Sequence, residues 1–171
     1  MTKIIGILNL TLDSFSDGGM YYDLESAKKH ISEMINQGAD IIDIGAESTR
    51  SGFSDVSADS QINTLAPIIE FINKNHDIKI SIDTRSSKVI NSFFNQNISF
   101  VNDVSSGFHD KDMLKSVSHL KCNYIMTHMP DEHQKGINKK YSNVLDELDV
   151  FFKKRIKSCI DEGIDKEKII I

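Results

Sequence analysis

The sequence of 171 residues predicts an α/β fold with a parallel sheet, a partial (β/α)8 TIM barrel made of the first five β-α units and a sixth strand. Three observations carry that expectation. Apolar, largely β-branched stretches at 4–8, 41–44, 78–82, 98–101, 124–126 and 169–171 are continuous more than alternating, as in strands covered on both faces. Segments of helical period lie between them, so the strands should pair in parallel through right-handed crossovers. Polar residues follow each of the first five strands: Asn9, then Glu47-Ser48-Thr49-Arg50, Asp83-Thr84, Asn102-Asp103 and Thr127-His128. A ring of strands converging on one mouth suits that distribution better than a doubly wound sheet, and neither G-x-G-x-x-G nor G-x-x-x-x-G-K-[ST] follows any strand.

The elements follow in order. After the first strand comes a long loop ending in Gly18-Gly19, and long loops at a barrel mouth commonly bind or cover ligands. Leu24, Ala27, Ile31, Met34 and Ile35 then form one helical stripe, with Asp23 as N-cap and Gly38 as C′ residue. Ile62, Leu65, Ile69 and Ile72 form a second, in which Pro67 should kink the helix or break it near Leu65. Val89, Ile90, Phe93 and Phe94 give a short third helix, and Met113, Leu114 and Val117 a fourth. Leu145, Leu148, Phe152, Ile156, Cys159 and Ile160 give a long fifth that Gly163 ends.

Composition fits a single globular domain over 1–171, with 39% hydrophobic and 26% charged residues. The net charge of −5 argues against a broad basic face for nucleic acid or anionic lipid. No apolar run reaches the roughly 18 to 20 residues of a membrane span, so a cytoplasmic location is expected. Cys122 and Cys159 lack Cys-x-x-Cys spacing and read as buried free thiols.

Candidate chemistry concentrates at the strand ends. In the second loop Ser48, Thr49 and Arg50 set two hydroxyls and a guanidinium near Gly52, a group that can hold a phosphate or carboxylate; an exposed Arg paired with a nearby Glu is the plainer reading. Asp83, at the end of the third strand, would face a largely apolar cup and could accept two N–H bonds from an amino-pyrimidine edge, with Asn102 meeting a mixed donor and acceptor edge beside it. The plainer alternative makes Asp83 the N-cap of the helix near Ser86. His128 and His133, five apart around Pro130, are poorly spaced for a metal, and no G-x-S-x-G elbow places a nucleophile.

Together, Gly6-Ile7-Leu8-Asn9-Leu10-Thr11, Asp13-Ser14-Phe15-Ser16-Asp17-Gly18-Gly19, Gly45-Ala46-Glu47-Ser48-Thr49-Arg50, Ser81-Ile82-Asp83-Thr84 and Asn102-Asp103 resemble, in order and spacing, the dihydropteroate synthase family. The resemblance implies a (β/α)8 barrel that joins 6-hydroxymethyl-7,8-dihydropterin diphosphate to 4-aminobenzoate, releasing diphosphate and giving 7,8-dihydropteroate in folate synthesis. It further implies that Asp83 and Asn102 hold the pterin, that Asn9 meets Mg²⁺ and the diphosphate, and that Thr49 contacts substrate. Phe15, Ser48, Thr49 and Arg50 would then belong to the mobile loops that close over diphosphate and build the aminobenzoate pocket, the target of sulfonamides. The implied chemistry is SN1-like, with C–O cleavage preceding attack by the amine, so no protein nucleophile is required.

The sequence departs from the family at Leu12 and Ser51, where the loops usually carry proline, and at Thr127, where a Met usually packs on the pterin. The family's next motif, Asp-Pro-Gly-[ILF]-Gly-Phe, would begin after Ile171. The chain therefore reads as cut at its carboxyl end, with low or absent turnover and no family-type homodimer as expectations. Two other readings compete: a methyltetrahydrofolate methyltransferase-like protein sharing the Asp and Asn, and a non-catalytic barrel remnant that binds a partner chain.

Overall fold

The computed structural model describes residues 2–10, 24–47, 55–129 and 141–171. Its elements are β1 (Ile5–Asn9), α1 (Leu24–Asn36), β2 (Ile41–Gly45), α2 (Ala58–Asn75), β3 (Lys79–Asp83), α3 (Ser87–Ser92), β4 (Ile98–Asp103), α4 (Met113–Leu120), β5 (Asn123–Met126), α5 (Val144–Asp161), a 3-10 turn (Lys166–Lys168) and β6 (Ile169–Ile170). The strands form one six-stranded sheet in sequential order, every pairing parallel. Sequential parallel order with a helix between neighbours is the barrel pattern that the sequence predicts.

The two faces of the sheet differ in kind. Leu8, Ile44, Ile82, Val101 and Tyr124 share one register row and are all buried. That row faces the helices: Leu8, Ile44 and Ile82 pack with Ile31 of α1 and with Leu65, Ile68, Ile69 and Ile72 of α2. Val101 and Tyr124 pack with Met113 and Val117 of α4 and Cys159 of α5. Because side chains alternate along a strand, the next row, Asn9, Gly45, Asp83, Asn102 and Ile125, belongs to the opposite face. That face is concave. Asp43 on β2 and Asn102 on β4 are separated by β3, so their backbones stand two strand spacings of about 4.8 Å apart in the sheet, yet their side chains meet at 3.0 Å. Ile5, Ile7 and Ile170, on the same face at the two ends of the sheet, are 41%, 61% and 40% exposed, and among the described residues β1 pairs only with β2 and β6 only with β5.

Several local expectations change. Helix α2 runs unbroken through Pro67, because Leu65, Ile68, Ile69 and Ile72 are all essentially fully buried and their packing outweighs the hydrogen bond the proline cannot donate. Helix α3 stops at Ser92: Phe93 is its buried C-cap, while Phe94 turns outward and is 56% exposed. In α5 the expected stripe holds at Phe152, Ile156 and Cys159, which pack on the core, but its ends do not: Leu145 and Ile160 are exposed, and Arg155 is buried. Gly38 and Gly163 take positive φ after α1 and α5, as C′ glycines do, whereas Asp23 lies outside the described residues. Both cysteines are buried and free, and burial lifts each thiol to about 11, so neither is a thiolate at neutral pH. No described helix is long and apolar enough to cross a membrane.

Candidate functional site

The row Asn9, Gly45, Asp83 and Asn102 sets three polar side chains and one missing side chain side by side across β1 to β4. All four stand at or next to the carboxyl ends of their strands, where parallel barrels build their sites. Gly45 is there for space: a Cβ on it would lie 3.2 Å from the Asp83 Cβ and 3.4 Å from its Oδ2. A larger residue at 45 would push the Asp83 carboxylate off its line.

Asp83 does not cap the next helix. Ser86 is the N-cap of α3, and the Ser87 N–H donates to Asp110 Oδ2 at 2.7 Å. Nor is the cup largely apolar, as the sequence suggests. Asp43 of β2 and Glu47, two residues beyond that strand, bring negative charge to Asp83, and Asp103 of β4 adds its own from the other face of the sheet. Burial first, and then the negative charges of Asp43, Asp103 and Glu47, push the Asp83 carboxyl up to about 7, against the pull of the Arg85 guanidinium. A group so poised exchanges its proton near neutral pH, which is common where ligands bind or react.

The adjacent pair Asn102 and Asp103 divides between the faces. Asn102 turns to the concave side and donates from Nδ2 to Asp43 Oδ2 at 3.0 Å. Asp103 turns to the helix side, fully buried, and accepts from the Ser105 N–H at 2.8 Å, the Ser105 hydroxyl at 2.6 Å, the Gly107 N–H at 2.7 Å and the Tyr124 hydroxyl at 2.7 Å. It fastens the β4 to α4 connection directly behind Asn102.

A second charged group centres on Arg85, two residues after Asp83. Arg85 donates from Nε to Glu47 Oε2 at 3.0 Å, and its Nη2 lies 2.9 Å from both Glu47 Oε1 and Asp55 Oδ1. Glu47 Oε1 also accepts from the Val56 N–H at 3.2 Å. Gln61 on α2 joins in, donating to the Val56 carbonyl at 3.0 Å and accepting from the Thr84 hydroxyl at 2.8 Å. The ends of β2 and β3 are thus tied to the start of α2. Arg85→Leu would strand the nearly buried Glu47 without its cation, and we expect a loss of about 2 kcal/mol in urea unfolding, with little change in the denaturant slope.

Of the residues singled out in the sequence, Asn9, Asp83 and Asn102 come together in one row. Phe15, Ser48, Thr49 and Arg50, together with Leu12, Ser51 and His133, lie outside the described residues. His128, after β5, packs edge-on against Phe151 at 4.7 Å between ring centres. Asp43 and Arg85 are additions from the structure. A carboxylate inside Ile41-Ile42-Asp43-Ile44 is the signal that could have found Asp43, since an acid interrupts an otherwise apolar buried strand only at a cost.

A family profile described as pterin binding enzyme matches residues 5–171, a span that contains the whole of this row. The chain belongs to the pterin-binding enzyme family. It is 39% identical over 170 residues to the dihydropteroate synthase of Clostridium beijerinckii, a match covering 99% of this chain and 61% of that protein. Among solved structures, the Clostridium difficile dihydropteroate synthase, in the presence of pteroic acid, superposes with a TM-score of 0.87 at 37% identity, covering 98% of this chain and 62% of that one. The Yersinia pestis enzyme, in a sulfonamide drug complex, does so with a TM-score of 0.90 at 31% identity, covering 98% and 61%. The chain therefore spans about three fifths of the length of these pterin-binding relatives.

Proposed function

We propose that the protein acts in folate synthesis as a dihydropteroate synthase, joining 6-hydroxymethyl-7,8-dihydropterin diphosphate to 4-aminobenzoate and releasing 7,8-dihydropteroate and diphosphate. The observation that carries this reading is the row of Asp83, Asn102 and Asn9 on the concave face of a family member whose relatives are dihydropteroate synthases. Asp83 and Asn102 offer hydrogen-bonding groups side by side to the flat, N–H-rich edge of a pterin. When the C–O bond to diphosphate breaks, positive charge spreads into the ring. Asp43, Glu47 and Asp103, which crowd Asp83 with negative charge, lower the energy of such a cation. Water exclusion and the grip on diphosphate and aminobenzoate fall, in this reading, to Phe15, Ser48, Thr49 and Arg50, with Thr49 against the substrate. Sulfonamides would compete at the aminobenzoate position.

Asn9 is the described residue suited to meet Mg²⁺. Its amide oxygen is a hard donor in the same row as Asp83, and Mg²⁺ characteristically keeps several waters and takes one or two protein oxygens together with substrate phosphates. When bound there, the ion would neutralise charge on the departing diphosphate. Among the described residues no cluster of three or more His, Cys, Asp or Glu side chains could hold a metal by itself, so the donor set suits an ion brought in with the diphosphate.

The test is a calorimetric titration of the 171-residue chain, with Mg²⁺ present, against the pterin diphosphate and separately against methyltetrahydrofolate. Saturable binding of the diphosphate, weakened when Asn9 is changed to Ala, is expected. Tighter binding of methyltetrahydrofolate would favour the methyltransferase-like reading. Binding of neither would leave a module that holds a partner chain.

A further inference from the structure

Below the row of Asn9, Gly45, Asp83 and Asn102 lies a second row on the same concave face, in which Asp43 of β2 stands in register with Ser81 of β3. Asp43 is only 5% exposed and Ser81 is fully buried. Asp43 Oδ2 takes the hydrogen bond from Asn102 Nδ2, while Asp43 Oδ1 and Ser81 Oγ are buried without a hydrogen-bond partner among the described residues. A carboxylate held at this depth needs a reason, because burying it unpaired is costly and an apolar residue would fill the strand as well as Ile42 and Ile44 do.

We propose that Asp43 is a positioning residue, which locks the side-chain amide of Asn102 in one orientation and so sets the order in which Asn102 offers donor and acceptor to the ligand. The two ends of an asparagine amide are alike in shape and opposite in hydrogen-bonding character. A carboxylate accepts and does not donate, so the end of Asn102 that meets Asp43 has to be Nδ2. The carbonyl oxygen is then fixed as the acceptor on the other side, with one N–H remaining beside it. Without Asp43 both orientations would be open, and a pterin edge would meet the correct one only part of the time. Asp103 holds the backbone behind Asn102, and Asp43 holds its side chain in front. The two acids thus divide the task of presenting one amide. The ligand consequence rests on the reading of Asp83 and Asn102 as the pterin site, whereas the amide lock itself does not.

The experiment keeps those two apart. In the ¹⁵N-labelled full chain without ligand, the Asn102 side-chain amide protons are followed in the wild type and in Asp43→Asn, with Asn102→Asp providing the assignment. A charge-assisted hydrogen bond predicts a downfield-shifted proton and slowed solvent exchange in the wild type, both lost in Asp43→Asn. Titration with the pterin diphosphate is then expected to show affinity roughly tenfold or more weaker in Asp43→Asn, in a variant whose cooperative melting shows that it is folded. Unchanged affinity in a folded Asp43→Asn, or an Asn102 amide in the wild type that exchanges like an exposed one, overturns the proposal. Should Asp43→Asn fail to fold, the wild-type amide spectrum decides alone. A wild type that binds no pterin diphosphate, but shows the locked amide, refutes the proposed function and leaves the lock standing.

Discussion

Asp83→Asn is expected to stabilise the fold at pH 8 while weakening pterin binding. Both effects follow from one fact: the Asp83 carboxyl is lifted from 3.8 to about 7 in the folded chain, through burial first and the Asp43, Asp103 and Glu47 charges next. Between these two values the folded state holds a proton that the unfolded chain has released. Stability from this group is therefore fully present below about pH 4 and is lost as pH rises through about 7. At pH 8 the wild type carries an ionised Asp83 among like charges at a cost of up to about 4 kcal/mol, which the neutral asparagine does not bear. The melting midpoint of Asp83→Asn should exceed that of the wild type by several degrees at pH 8, and the difference should shrink steadily toward pH 4. A pH-independent difference would mean that Asp83 does not titrate as its surroundings require. The binding loss belongs to the same substitution, because an amide puts a donor NH2 where the carboxylate has its second acceptor oxygen, and so cannot meet two adjacent N–H groups side by side. Sites commonly trade stability for function in this way.

Asp103→Ala should be the most damaging single change in the described part of the chain. Its carboxylate is fully buried and receives four donors, from Ser105 twice, Gly107 and Tyr124. Removing it leaves those donors buried and unpaired and opens a small cavity, for a loss on the order of 4 kcal/mol in chemical unfolding. Tyr124→Phe removes one donor and keeps the ring, so it should cost only about 1 kcal/mol. The tyrosine hydroxyl is itself held protonated, well above its usual range, by burial and by the Asp103 charge, so it serves as a donor at every accessible pH. Equal losses in the two variants would show that the Tyr124 hydroxyl bond alone, and not the network of four donors, carries the energy. Because Asp103 anchors the connection behind Asn102, folded protein of the alanine variant should also bind the pterin diphosphate more weakly.

The strands and helices were legible because each has its own period. Ile78 to Ile82 reads as a covered strand and Leu24 to Ile35 as an amphipathic helix, and both stand within a residue or two of the expected limits. Pro67 misled because local backbone preference was set against burial that only the assembled core supplies. Phe94 and Ile160 misled for a related reason: helical period says which residues share a face, while the neighbours decide where the buried face ends. Within the site, Asn9, Asp83 and Asn102 could be found because each stands at or next to the end of a strand. Asp43 and Arg85 could not be found that way, since their meaning lies in partners at distances of 59 and 38 residues along the chain. The acidity around Asp83 was hidden for the same reason, because Asp43 and Glu47 approach it only once β2 and β3 are paired.

The most direct measurement is a map of where the pterin diphosphate binds, by backbone and side-chain NMR of the ¹⁵N-labelled chain during titration. Changes that saturate together at Asn9, Gly45, Asp83 and Asn102, and that disappear in Asp83→Ala, are the predicted result. Saturable binding whose changes avoid that row, falling for example in the groove between Phe94, His119 and Lys168, would contradict it.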